Sequence, residues 1–215
     1  MALTFDSSGN SRTSSTSLTY PVTTTGTNLV LVAQVMQNSG SDSVTGVTYN
    51  GVSMTRLYGA IPSGLMWTYV YVLYAPTTGT HDIVVSANTN SFIGSVAMSY
   101  SGAAQSGNFL GITNNGSTGI TSTNVTVAMT YTNSYMVGFG EVASGANPTA
   151  GSGTVRRVIN ASDGNSGFDS NGIATGNYTL NMSWAGSAAA YMQGFEIVDV
   201  APTSRAATGN FLAFF

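Results

Sequence analysis

The chain has 215 residues, of which 42% are hydrophobic and only 6% are charged, against roughly 25% charged in ordinary soluble domains. It contains no Cys, no Lys and a single histidine, His81. These absences exclude disulfides, thiol and Schiff-base chemistry, and metal sites that need several imidazoles from one chain. The net charge of −3 argues against a nucleic-acid partner, because phosphate binding requires clustered basic residues. We therefore expect no cofactor and no metal.

No targeting or membrane-spanning segment is recognisable. Residues 1–10 lack the basic and apolar regions of a secretory signal, which predicts synthesis in the cytoplasm of a host cell without a signal peptide. The longest apolar stretch, residues 69–75, is far shorter than the ~20 residues that span a bilayer as a helix. The sequence therefore predicts no membrane association.

Apolar and polar residues alternate with a period of two along most of the chain, which predicts β-strands with one buried face. Three such strands centre on residues 18–22, 96–100 and 125–131. Residues 29–33 and 66–75 are continuous apolar runs, which are typical of central strands covered on both faces. No window has the apolar spacing of a helix, so we expect essentially no helix.

Two turns stand out between these strands. Asn50-Gly51 lies between two alternating runs and predicts a tight type I′ hairpin, since both central residues must adopt positive φ. Residues 75–79, Ala-Pro-Thr-Thr-Gly, predict a second turn that leads into a strand over residues 81–87.

The two halves of the chain resemble each other weakly. Residues 16–32 resemble residues 123–139, and residues 79–86 resemble residues 176–183. Two separate small sandwiches are one interpretation, but no Pro-rich or charged linker divides the halves. We therefore predict an all-β fold of ten to twelve strands, a single antiparallel β-sandwich of jelly-roll type built from both halves over residues 1–200. Residues 201–215 would form a C-terminal arm.

The segments at residues 44–55, 71–85 and 96–103 make the sequence similar to a β-sandwich module common in phage structural proteins and bacterial surface proteins. Residues 150–157 and 178–184 fit its second half, so the resemblance covers roughly residues 3–200. Its motifs are turns and core positions without a catalytic set. The resemblance implies a non-enzymatic display or assembly module.

Few residues carry recognisable chemistry. His81 would have to serve as the single base of any hydrolase, and a structural histidine is the simpler interpretation. Residues 163–172 form an oxygen-rich segment in which Asp163 and Asp169 could bind calcium or form a glycosidase pair. Since Asp, Asn and Gly also dominate ordinary turns, we expect turn chemistry there.

Two further side-chain groups are candidates for contacts. Trp67, Tyr69 and Tyr71 share one face of a strand and could be core residues, a subunit interface or a sugar-stacking platform, of which the core is favoured. Adjacent strand residues point to opposite faces, so the doublet Arg156-Arg157 favours a salt bridge over phosphate binding.

The C-terminal arm ends in a hydrophobic tip formed by Phe211, Leu212, Phe214 and Phe215. Leaving these side chains in water is costly. We expect the tip to dock, either on its own sandwich or on a neighbouring subunit.

These observations favour a non-enzymatic bacteriophage virion protein, specifically a capsid decoration or cement protein that forms homo-oligomers, with a trimer favoured, and contacts other virion proteins. A tail or fibre component is the near variant. A carbohydrate-binding or adhesin module with Trp67 and Trp184 as contact residues is the alternative, so a glycan partner stays open. An enzyme is the weakest hypothesis, because paired titratable groups are lacking.

Overall fold

The computed structural model describes residues 2–60, 66–107, 109–143, 145–172 and 174–201, which form thirteen strands. The strands are β1 (Thr4–Thr24), β2 (Val30–Gln37), β3 (Val44–Tyr49), β4 (Val52–Ser53), β5 (Thr55–Ala60), β6 (Trp67–Tyr74), β7 (Gly79–Ser101), β8 (Leu110–Ala128), β9 (Tyr135–Val142), β10 (Thr149–Ala150), β11 (Val155–Asn160), β12 (Asn165–Asp169) and β13 (Asn177–Ile197). These described residues contain no helix, and hence none that is long and apolar enough to cross a membrane. The prediction of an all-β chain is confirmed.

The strands form two antiparallel sheets, each built from one half of the chain. The first sheet has the order β4-β3-β7-β2-β6-β5, with β1 paired to β7. The second has the order β10-β13-β9-β12-β11, with β8 paired to β13. Apart from the short β4, the two orders are the same pattern, with β1, β2 and β7 corresponding to β8, β9 and β13. The predicted resemblance between the halves is therefore a repeat of topology, although this connectivity does not establish a jelly roll.

Long strands bend each sheet over on itself. β1 pairs with β7 along almost its whole length, with a register shift between Ser15 and Ser17. The first part of β7 also pairs with β3, whereas its second part pairs with β2. Side chains from both parts meet in one apolar cluster, so bulges allow one strand to pass between two layers.

Three apolar clusters fill the molecule. The first lies within the first sheet, and another lies within the second. The third, which we call the shared core, lies between the sheets and takes side chains from both: Val30, Val32, Val70, Val72, Val96, Met98, Val137, Phe139, Phe195 and Ile197 belong to it. The two halves are therefore held face to face by buried apolar surface.

The continuous apolar runs are explained by this arrangement. In β2, Leu31 points into the first cluster, whereas Val30 and Val32 point into the shared core. β6 alternates in the same way, so the prediction of central strands covered on both faces is confirmed for these two runs. Residues 96–100 were expected to bury one face only, but they are buried on both, since the second sheet covers the other face.

Both predicted turns are confirmed. Asn50 and Gly51 connect β3 to β4 with φ values of 50° and 75°, as the type I′ geometry requires. The turn after β6 begins at Ala75, which has a φ of 46°, and leads into β7 at Gly79.

Candidate functional site

The aromatic row of β6 lies mainly inside the first sheet. Tyr69 and Tyr71 are buried and belong to the first apolar cluster, and Trp67 packs against that cluster while partly exposed. Trp67 stacks on Tyr69 with ring centroids 6.0 Å apart, and the Arg56 guanidinium covers the Tyr69 ring. Burial raises the pKa of Tyr69 to about 12. Trp184 is also buried, so these rings do not form an exposed platform for a sugar.

The two adjacent arginines have different partners. Arg157 forms a salt bridge with the buried Asp169, with 2.7 Å between Nε and Oδ2, and its guanidinium lies over the Phe5 ring. Tyr100 of the first sheet donates a hydrogen bond to the same carboxylate at 3.1 Å. Arg156 donates to the side chain of Asn147 at 2.9 Å. Arg157 therefore makes the predicted salt bridge within the second half, and the two halves are joined there by the Tyr100–Asp169 hydrogen bond and by the contact of Arg157 with Phe5.

His81 lies at the end of the first sheet beside a shallow cleft of about 360 Å³. Its Nε2 is 3.1 Å from the carbonyl oxygen of Thr78, and its ring meets Tyr49 edge to face. The neighbouring Asp82 is exposed and points to the opposite face of the strand. His81 and Asp82 nevertheless both line this cleft.

The oxygen-rich segment over residues 163–172 is not a loop throughout. Residues Asn165–Asp169 form β12, a buried strand paired with β9 and β11. Asp169 binds Arg157, Tyr100 and the backbone of Asn171, whereas Asp163 caps the turn before the strand by accepting from the Asn165 N–H at 3.0 Å. Among the described residues, no group of three or more His, Cys, Asp or Glu side chains could hold a metal ion.

The hydrophobic tip at Phe211, Leu212, Phe214 and Phe215 lies outside the described residues, as does nearly all of the proposed arm.

The most unusual group of side chains lies between the sheets, beside the shared core. We call it the interior polar cluster, and it consists of Gln34, Thr68, Glu141, Asp163, Asn165 and Gln193, all buried. Strand alternation accounts for their direction. Gln34 lies on the same face of β2 as Val30 and Val32, Glu141 on the same face of β9 as Val137 and Phe139, and Gln193 on the same face of β13 as Phe195.

Glu141 bridges the two halves. Thr68 of β6 donates its hydroxyl to Glu141 Oε2 at 3.0 Å, and the Met66 N–H points at Oε1 from 3.4 Å. Burial raises the pKa of Glu141 to about 7, and the charge of Asp163 adds to that rise. A carboxyl in this position is therefore close to half ionised at neutral pH.

Asp163 approaches the first sheet at a different point. A Cβ atom built on Gly94 of β7 would lie 2.5 Å from Asp163 Oδ2, so only glycine leaves room for this carboxylate. Burial raises the pKa of Asp163 to about 6, although Arg12 opposes the shift. Asp163 Oδ2 and the amide groups of Gln34, Asn165 and Gln193 have no hydrogen-bond partner in the described part of the chain.

Of these residues only Asp163 stood out in the sequence, although a signal was present for two others. Gln34 and Glu141 each stand between apolar residues that are themselves buried. A single polar residue inside such a run is costly to bury unless it has a purpose or a partner. The partners could not be inferred, because they lie on the other half of the chain.

Comparison with known proteins adds no identification. No model of a known protein family matches the chain, and no curated protein sequence matches it significantly.

Proposed function

We propose that the chain is a non-enzymatic structural protein of a bacteriophage particle, a capsid decoration protein that stabilises the particle through contact area. The resemblance of residues 3–200 to modules of phage structural proteins supports this proposal. The observation that carries it is the chemistry of the outward faces of the two sheets.

Short, uncharged side chains make up most of these outward faces, and Asp82 of β7, opposite Pro21, is a charged exception. On the first sheet, Thr19, Pro21 and Thr23 of β1 are exposed beside Thr80 of β7. On the second, Asn124, Thr126 and Ala128 of β8 are exposed beside Asn177 of β13. Short side chains lose little rotamer entropy when a partner covers them, and little charge has to be desolvated. Such faces are suited to packing against other subunits.

The acidic side chains support the same proposal, because most of them maintain the fold. Glu196 accepts hydrogen bonds from the backbone N–H groups of Thr130 and Tyr131 at 2.7 and 2.9 Å. Asp199 accepts from Leu3 N–H and Ala201 N–H. Asp6, Asp42, Glu141, Asp163 and Asp169 are also hydrogen-bonded within the chain. A chain that uses its few carboxylates in this way has little left for acid-base chemistry.

Introducing charge into the outward faces tests the proposal. Thr19→Arg and Thr126→Arg place a long charged side chain on each face, and Ser106→Arg places one in an exposed turn as the matched control. We expect the first two substitutions to weaken association at least tenfold in sedimentation velocity, and the control to leave it unchanged. Equal association of all three variants would contradict the proposal.

Deletion of residues 206–215 tests the predicted role of the hydrophobic tip. We expect the deletion to reduce oligomerisation or particle binding while the β-sheet circular dichroism spectrum stays the same. Unchanged assembly would remove the arm from the proposal without affecting the outward faces.

A further inference from the structure

The interior polar cluster contains seven buried side-chain atoms without a partner among the described residues: both amide atoms of Gln34, Asn165 and Gln193, and Oδ2 of Asp163. Native proteins leave few such atoms, and each normally has a water, ion or protein partner. Here they lie in one region between the sheets, although other parts of the same interface are apolar. Unpartnered polar atoms grouped in this way are typical of a ligand-binding site.

The strand registers place the donors close together. Met36 of β2 pairs with both Thr68 and Gly94, and Gln34 lies two residues before Met36 on the same face. Glu141 reaches the first sheet at Thr68, and Asp163 reaches it at Gly94. The two carboxylates therefore approach β2 on either side of Met36, and Gln34 lies two residues further along the same face.

The second sheet adds the remaining oxygen donors beside Glu141. In β12, Ser166 pairs with Gly140, so Asn165 is next to Glu141 across the strand pair. In β13, Gln193 pairs with Phe139, two residues before Glu141 on the same face. Asn165 is thus opposite Glu141 on the neighbouring strand, and Gln193 is diagonal to it on the other side.

The charge in this region is not balanced by a buried cation. Arg12 is the guanidinium that opposes the pKa shift of Asp163, but its side chain is exposed and donates to the Ser162 carbonyl at 3.3 Å. Buried carboxylates require protonation, a paired cation or a metal ion. Two carboxylates with several amide oxygens match the all-oxygen ligand sets of calcium, which tolerates irregular geometry better than magnesium does.

We propose that the interior polar cluster binds one divalent cation of the calcium type, held by Glu141 and Asp163 together with amide oxygens of Gln34, Asn165 and Gln193. The cation would join the two halves of the chain at the polar end of the shared core. This inference goes beyond the proposed function and does not depend on it.

Thermal unfolding of the full chain in calcium chloride or EDTA, near pH 8, tests this proposal. A cation that binds only the folded state raises Tm, and at a hundredfold excess over Kd we expect a rise of about 5–10 °C. Isothermal titration with calcium chloride should show binding near one ion per chain. A wild-type chain with no shift and no binding heat would overturn the proposal.

Substitutions locate the site. Glu141→Gln and Asp163→Asn should lose the calcium-dependent rise in Tm, whereas Asp82→Asn, which changes an exposed carboxylate elsewhere, should keep it. If a carboxylate variant fails to fold, Gln34→Met provides a second test, because it preserves side-chain length and removes the amide oxygen. We expect it to lower calcium affinity at least tenfold. A calcium response that survives in the folded cluster variants would place the ion elsewhere and contradict the proposal.

Discussion

Glu141 shows how one buried residue can make the stability of the whole chain depend on pH. Its pKa is raised to about 7 from an ordinary value of 4.5, so the folded state holds a proton that the unfolded chain releases. Below pH 4.5 the carboxyl is protonated in both the folded and the unfolded state, and the shift costs no stability. As pH rises from 4.5 to about 7, the free energy of unfolding falls, and above about pH 7 it falls no further on account of Glu141.

We expect Glu141 alone to lower the stability of the chain by roughly 3 kcal/mol between pH 4.5 and pH 8, measured by urea unfolding in EDTA. Burial also raises the pKa of Asp163, which lowers stability in the same direction, and the charge of Arg12 opposes this rise. The hydroxyl of Tyr191, which also faces Glu141, stays neutral because burial raises its pKa.

Glu141→Gln should flatten most of this pH dependence, because the amide does not ionise. A variant that keeps the full dependence would show that another group is responsible.

Arg157 and Arg56 provide a matched pair for testing what ion pairs contribute. Asp169 is fully buried beneath Arg157, whereas the Arg56–Asp42 pair is well exposed. Arg157→Ala should destabilise the chain by about 3–5 kcal/mol, since it leaves a buried carboxylate unpaired. Arg56→Ala should cost about 1 kcal/mol or less. Equal losses in chemical unfolding would contradict the assignment of Arg157 as the partner of a buried carboxylate.

At the scale of single elements, the β3–β4 hairpin depends on one glycine. Gly51 has a φ of 75°, and a Cβ there would contact nothing within 4 Å, so Gly51→Ala should cost about 1 kcal/mol through backbone conformation alone. Gly46 of β3 has equal space but no positive φ, and Gly46→Ala is the control. We expect the control to change the free energy of unfolding by less than about 0.5 kcal/mol.

The elements that could be predicted are those whose signal is local. The Asn50-Gly51 turn requires positive φ, and the runs at residues 29–33 and 66–75 are apolar on both faces whatever covers them. β12 was expected to be a loop because residues 163–172 are rich in Asp, Asn and Gly. It is a strand because Arg157 and Tyr100 satisfy Asp169, and neither partner is adjacent in sequence.

The long strands β1 and β8 were also underestimated. Their N-terminal parts consist largely of Ser, Thr, Asn and Gly without apolar alternation. They are strands because β7 and β13 supply a hydrogen-bonding edge along their whole length. Pairing of this kind depends on distant residues, so the local sequence pattern does not reveal it.

At the scale of the whole molecule, the repeat of one strand order in each half explains why the halves belong together. Each sheet buries one apolar face within itself and presents a second to the shared core. Separating the halves would expose Val30, Val32, Val137 and Phe139 to water, which is unfavourable in proportion to the apolar area. The shared core therefore packs the two halves against each other through buried apolar side chains.

The outward faces are suited to packing between chains, since they carry few charges that would oppose close contact. The proposed function adds contact area to a particle, so it requires the chain to associate with other subunits.

The mass of the intact 22.0 kDa chain in solution, measured by light scattering over a range of concentrations, tests this account most directly. The account predicts a defined oligomer, with a trimer of three times that mass favoured. A strict monomer at every concentration, which also fails to sediment with phage particles, would contradict it.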